Sequence, residues 1–199
     1  MTDSQETRSR ILSCARDLYL EGGLQGVTMR GVAKCAEISA TAIYRHFEDK
    51  EHLLMAVFEE GFRVFSSYMW ESLGGESPGE RFRSAGDAYL RFGLEQPHYY
   101  KVCFMAPAEE LGYHELPENA REKFQKSFQF LVDRIREMMD SGVFREEDPE
   151  LTAFTVWAHS HGLVALYIGG GARCASEEEF EELYWKSMEQ VFEGLRPPG

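Results

Sequence analysis

Positive charge is in short supply: 21 lysines and arginines stand against 34 aspartates and glutamates, a formal net charge of −13. A balance of that sign argues against a surface that binds polyanions over its whole extent. Cysteine is sparse and scattered. Cys14, Cys35, Cys103 and Cys174 form no CxxC and no Cys/His pattern with metal-site spacing, which excludes a zinc module and predicts four reduced, buried or semi-buried thiols. No run of about 18 apolar residues is present, so no membrane span is expected. No charged-then-apolar N-terminal segment suggests a signal peptide, and a cytoplasmic protein is expected. Catalytic patterns are missing too. There is no Gly-rich phosphate loop and no credible Ser/His/Asp arrangement. A di-iron bundle would need two Glu-x-x-His pairs, and the one match, Glu95-Gln96-Pro97-His98, is broken by Pro97. His159 and His161 diverge by about 200° on a helix and cannot easily share an ion. No enzyme, cofactor or metal site is expected. No strand alternation or internal repeat appears, which leaves an all-α chain.

What is present is an ordinary globular composition, with 43% hydrophobic residues, enough for a sizeable core in one domain or two small ones. The charge is unevenly spread. Residues 1–50 hold seven basic and seven acidic side chains, so the whole net charge of −13 lies on the remainder. An acidic body repels phosphates and leaves the neutral head as the plausible docking face.

The head carries the most informative stretch, residues 28–50. Thr28 is a fitting N-cap for a helix whose Met29, Val32, Ala33 and Ala36 fall at i, i+3, i+4 and i+7 on one apolar face. Glu37 and Ile38 make a turn. Ser39 can cap a second helix that points Ala42, Ile43 and Phe47 to the core and Ala40, Thr41, Tyr44, Arg45 and His46 outward. Small outward residues at a helix N-terminus let the backbone enter the major groove. Asp49 caps a third helix, whose first N–H groups and Lys50 face outward in a geometry suited to a phosphate. A preceding helix over roughly 4–21, with Ile11, Leu12, Ala15, Leu18 and Tyr19 on one face, ends at Gly22-Gly23.

Thr28, Val32-Ala33, Ala36, Ile38-Ser39, Ile43-Tyr44, His46-Phe47 and Lys50-Glu51-His52-Leu53 together resemble the DNA-binding signature of the tetracycline-repressor (TetR) family, over about a quarter of the chain. The resemblance implies a homodimeric transcription regulator with an N-terminal three-helix helix-turn-helix head and a larger helical body that binds a small effector, about nine helices in all. It carries phosphate contacts to Thr28, Tyr44 and Lys50, and base-edge positions to Ala40, Thr41 and His46. Arg30, Ser39 and Arg45 complete the expected DNA-binding set. The sequence departs from the family pattern at Glu37, where Gly is usual, and at Thr41, where Gly or another small residue is common. Glu37 therefore stands in a turn that favours a positive backbone angle.

The expected division is a head over 1–48 and a body over 49–199. A long helix runs from Asp49 to about Leu73, with Gly61 in its middle. Ser77-Pro78-Gly79-Glu80 opens the next with cap, N1 proline and capping-box glutamate, and it should end before Pro97. His98–Met105 reads as a short aromatic helix and Ala106–Pro117 as a loop. Glu118–Ser141 reads as a helix closed by Gly142. Asp148-Pro149 starts another that runs to Gly169-Gly170-Gly171, and Ser176 with Glu179 caps the last. Two late helices separated by one loop are what a four-helix dimer interface needs. Trp157-x-x-x-His161-Gly162 resembles a body-domain motif of one TetR subgroup.

An effector pocket should be apolar with a few polar groups. Phe65, Met69, Tyr89, Phe92, Tyr99, Phe104, Phe128, Trp157 and His161 are the candidate lining, although an aromatic stripe at helical spacing is more often plain core. Few basic residues stand on inward stripes, which favours a neutral or cationic apolar effector. The expected partners are a palindromic double-stranded operator, that effector and a second copy of the chain, with no membrane. By resemblance, the expected activity is repression relieved by ligand. Two other readings compete: a thiol-responsive regulator that uses Cys14 and Cys35, and a helical interaction protein without DNA binding.

Overall fold

Local signals account for most helix boundaries. In the computed structural model, which describes residues 3–106 and 118–198, the elements are α1 (Asp3–Gly26), α2 (Met29–Cys35), a 3-10 turn (Ile43–Arg45), α3 (Lys50–Glu71), α4 (Pro78–Glu95), α5 (Pro97–Tyr100), a π-helical turn (Lys101–Met105), α6 (Glu118–Asp140), α7 (Pro149–Ile168) and α8 (Glu177–Leu195). No strand occurs among the described residues. The loop expected over 106–117 lies, from residue 107 onward, outside them.

The starts of α4, α7 and α8 have capping partners. Ser77 accepts from the Glu80 backbone while the Glu80 carboxylate takes the Ser77 and Glu76 N–H groups, a full capping box. Asp148 accepts from Glu150 and Leu151 ahead of Pro149. At α8 the Ser176 hydroxyl takes the Glu179 N–H, but the Glu179 carboxylate reaches one residue further back, to the Ala175 N–H at 2.6 Å. The ends obey the glycines. Gly22 and Gly23 leave helical geometry inside α1, Gly23 at φ 58°, and Gly142 after α6 adopts φ 74°. Such angles carry no Cβ penalty at glycine.

The chain divides into two compact units. The first comprises Met1–Val64 and His98–Arg121. Its core joins Ile11, Leu12 and Ala15 of α1, Val32 and Ala33 of α2, Ile43, Phe47, and Leu53, Val57 and Phe58 of α3, all buried. Tyr99 and Tyr100 of α5 are buried in the same unit, where Arg16 of α1 donates to the Tyr99 hydroxyl at 3.1 Å. The π turn packs tightly: a Cβ on Gly61 would meet the Cys103 sulfur at 2.5 Å, so glycine is what lets this turn lie against α3. The second unit comprises Phe65–Pro97 and Glu122–Gly199. Phe82, Phe92, Ile135, Val156, Val164, Phe180 and Tyr184 are buried there. Arg83 lies over the Trp185 ring, 3.3 Å from its centroid.

Candidate nucleic-acid interface

Thr28 sits in extended backbone and its Oγ1 accepts from the Gly31 N–H at 3.0 Å, which starts α2 as its sequence predicts. Val32 and Ala33 anchor that helix in the core and leave Arg30 and Lys34 exposed. The helix ends with Ala36, then Glu37 at φ 55°, the one non-glycine residue with positive φ among the described residues. The Ile38 N–H returns to the Ala33 carbonyl at 3.0 Å. The turn thus adopts the left-handed form that glycine ordinarily supplies, with a glutamate in it.

The segment after the turn differs in kind from the second α-helix expected there. Ser39 does cap it, its Oγ accepting from the Ala42 N–H at 3.0 Å. The backbone then closes mostly i→i−3 bonds, Ala42 to Ser39, Arg45 to Ala42 and His46 to Ile43, with one i→i−4 bond from Phe47 to Ile43. The result is a turn followed by a single 3-10 turn. The division of faces is nevertheless the expected one. Ile43 is 0% exposed and Phe47 is buried, whereas Tyr44 is 56% exposed and Ser39, Ala40, Thr41 and Arg45 are open to solvent. His46 and Lys50 are half-buried. The guanidinium of Arg8 lies 5.2 Å from the Phe47 ring centroid and covers the end of this segment.

At the start of α3 the Asp49 carboxylate accepts from the His52 backbone N–H and lies 2.9 Å from His52 Nδ1. The hydrogen bonds from the His52 backbone and ring hold Asp49 below the ordinary carboxylate value, and the same contact raises His52.

One expectation is overturned in this region. Cys14 and Cys35 are joined by a disulfide, with their Cα atoms 5.8 Å apart, and Cys103 and Cys174 alone are free thiols. The packing of α1 on α2 brings the pair within bridging range, and a spacing of 21 residues gave no local sign of it. Cys103 fits the buried-thiol expectation, its ionisation pushed far up by burial.

The candidate effector residues fall into two sets. In the second unit Phe65, Tyr89 and Phe92 are buried, and Phe65 packs against Tyr89 at 6.1 Å and Phe92 at 5.1 Å between ring centroids. Trp157 and His161 face each other at 5.4 Å, and His161 Nδ1 lies 3.3 Å from the Tyr89 hydroxyl. Burial lowers the pKa of His161, which leaves it neutral at pH 7. Met69 and Phe128 are half-buried in that unit. Tyr99 and Phe104 belong to the first unit, Phe104 against Phe62 and Tyr100. Sequence reasoning missed Phe124 and Phe154, which flank Trp157 at 5.6 and 6.1 Å. It also missed Arg81 and Arg134, which converge on Glu137 at 3.0 and 2.7 Å. Among the described residues no group of three or more His, Cys, Asp or Glu could hold a metal ion, and no helix is long and apolar enough to cross a membrane.

An all-α chain whose N-terminal unit presents a capped helix, a left-handed turn and an exposed polar segment anchored from beneath is a helix-turn-helix protein. Residues 11–57 match the model of the bacterial regulatory proteins of the tetR family, and residues 82–190 match a tetracyclin repressor-like C-terminal domain. The chain belongs to the TetR family of helix-turn-helix transcriptional regulators. It is similar to the regulator UidR of Escherichia coli K12, 39% identical over 56 residues, which span 28% of this chain and 29% of that one. Similarity to YhgD of Bacillus subtilis, an uncharacterized HTH-type transcriptional regulator, is 24% over 188 residues and spans 84% of this chain and 97% of that one. The fold is shared with PfmR, a TetR family transcriptional regulator from Thermus thermophilus, at TM-score 0.73 and 20% identity, over 94% of this chain and all of that one.

Proposed function

We propose that the chain is a cytoplasmic, homodimeric repressor that binds a palindromic operator through its head, residues 1–48, and releases it when a small apolar effector enters the body, residues 49–199. The observation that carries this reading is the exposed row Ser39, Ala40, Thr41, Tyr44 and Arg45 on a segment fastened to the core by Ile43 and Phe47. In this reading Thr28, Arg30, His46 and Lys50, the first residue of α3, flank that row, so base edges would meet the small side chains while phosphates meet the flanking groups.

Dimerisation is supported by α7 and α8. Leu151, Phe154 and Leu166 on α7 are 64%, 55% and 56% exposed in the single chain, although the opposite face of the same helix buries Ala153, Val156 and Val164. A helix apolar on both sides needs a cover on both. On α8, Leu183 is likewise an exposed large apolar side chain. A second copy covers the outward face of α7 with closed two-fold symmetry, and two recognition segments then stand one turn of DNA apart, about 34–36 Å.

Tyr89, Trp157 and neutral His161, with Phe65, Met69, Phe92 and Phe128 of the same unit, support a body site for a neutral or cationic apolar molecule with one polar group for the imidazole or hydroxyl. Tyr99 and Phe104, the other two candidates, belong to the first unit and form no part of this proposed site. An effector that fits one conformation better shifts the population of DNA-competent dimers.

Selection from a random duplex DNA library with the purified protein, followed by sequencing, tests the proposal. Enrichment of a palindrome is the expected result. A folded dimer that enriches no sequence would replace this reading with a helical interaction protein.

A further inference from the structure

We infer that Cys14 and Cys35 form a reversible thiol–disulfide switch that reacts with low-molecular-weight disulfides and weakens DNA binding when the cross-link is closed. This rests on the DNA-binding reading above.

The placement of the two cysteines is the argument. Cys14 is buried on the core face of α1, between Ile11, Leu12 and Ala15. Cys35 is the last residue of α2 and is exposed. The next residues are Ala36, Glu37 at φ 55° and Ser39, the turn that aims the recognition segment. A covalent bond at Cys35 therefore clamps the end of α2 to α1 immediately before that turn. The other two cysteines have no such placement: Cys103 is buried within the π turn, against α3, and Cys174 lies in the link between α7 and α8.

The cross-linked form has a recognition segment of turn and 3-10 geometry. That geometry matters for readout. An α-helix advances about 1.5 Å and a 3-10 turn about 2.0 Å per residue, and here only Ile43–Arg45 is 3-10, after a non-helical turn over 40–42. Ala40, Thr41, Tyr44 and Arg45 stay exposed in this form, but on a backbone whose rise and twist differ from those of a regular recognition helix. Opening the bond frees the end of α2 and allows the segment to close regular i→i−4 bonds from Ser39 onward.

The chemistry balances without any further reagent. The exposed Cys35 thiolate attacks one sulfur of a small disulfide, whose S–S bond breaks and whose first thiolate leaves. The Cys14 thiolate then attacks the Cys35 sulfur of the mixed disulfide and expels the second small thiolate. Two protein thiols are oxidised, one small disulfide is reduced to two thiols, and the two protons released by the cysteines pass to those thiols or to solvent. The reverse exchange opens the bond. A DNA-bound regulator works in the reducing interior of the cell, where disulfides are usually transient or redox-sensing rather than structural.

The test repeats the duplex-library selection with dithiothreitol-reduced protein and with protein equilibrated in excess oxidised glutathione, then measures affinity for the enriched duplex in both states. The result expected is enrichment by the reduced form, with affinity at least about tenfold weaker after oxidation and restored by dithiothreitol. Cys35→Ser, shown to be folded by circular dichroism, should bind as the reduced protein does and ignore oxidised glutathione. Cys174→Ser should respond like the parent. Equal affinity in both states, tighter binding by the oxidised form, or a Cys35→Ser variant that still responds would each overturn the switch and leave the DNA-binding reading standing. No enrichment by either form would overturn both.

Discussion

The Tyr184 hydroxyl lies 2.6 Å from Ser160 Oγ, and the pair joins α8 to α7 in a fully buried position. Tyr184 is 1% exposed and burial pushes its phenol up to about 12, so it remains a neutral hydroxyl at any physiological pH. Ser160→Ala removes its partner and strands a polar group, which costs about 1–3 kcal/mol. The Ser160→Ala, Tyr184→Phe double variant leaves no stranded group and should recover a good part of that loss. Urea unfolding of the two single variants and the double variant measures the coupling. Strictly additive losses would mean that the two hydroxyls do not depend on each other.

Glu37 occupies the left-handed region at φ 55° in the turn between α2 and the recognition segment. An L-residue there costs about 1–2 kcal/mol relative to its right-handed conformation, and glycine does not carry that cost. Glu37→Gly should therefore raise the stability of the first unit by about 1 kcal/mol, after some loss to the greater freedom of glycine in the unfolded chain. Thermal unfolding measures it. An unchanged or lower midpoint would show that the glutamate side chain contributes something that offsets the strain.

How far this architecture could be read in advance depended on whether a feature is local. Ser77-Pro78-Gly79-Glu80 and Asp148-Pro149 carry cap, proline and acidic first turn within a few residues, and α4 and α7 begin there. The inward faces of the head, Val32, Ala33, Ile43 and Phe47, follow from apolar spacing alone. Spacing cannot separate an α-turn from a 3-10 turn over so few residues, because Ile43 and Phe47 are buried in either. Nor does it show which distant positions meet. Cys14 finds Cys35, Tyr89 finds His161 across 72 residues, and Arg16 finds Tyr99 across 83. Those meetings arise from the packing of whole helices, to which each residue contributes only a small part.

His52 and Asp49 make the start of α3 sensitive to pH. Contact with Asp49 raises His52 above its ordinary value of 6.5, so the contribution of the charged imidazole is complete below pH 6.5 and fades as pH rises through the raised value. Asp49 is held below 3.8, so its contribution is complete above pH 3.8 and fades as pH falls through the lowered value. Both groups are exposed, and the effect on stability is correspondingly small. The titration itself is readable. Proton NMR of the His52 ring should give a midpoint above 6.5, and Asp49→Asn, which can still cap the helix, should bring it down toward that value. A midpoint insensitive to Asp49→Asn would assign the shift to Glu48 and Glu51, whose charges act on the same ring.

Phe154 stands on the outward face of α7 next to Trp157, with ring centroids 6.1 Å apart, and the same helix exposes Leu151 one turn before it. If this patch is covered by a second copy, Phe154→Asp places two carboxylates in an apolar, symmetric interface, one from each protomer. The loss at such a central aromatic is about 2 kcal/mol or more. Light scattering coupled to size-exclusion chromatography should show the parent at twice the chain mass and the variant shifted to the monomer. Circular dichroism should be unchanged, because the side chain makes no part of the chain's own buried core. Operator affinity should fall with dimerisation, since one recognition segment alone reads half a palindrome. A Phe154→Asp protein that keeps the dimer mass would move the interface off this face of α7, and the exposed leucines would then need another partner.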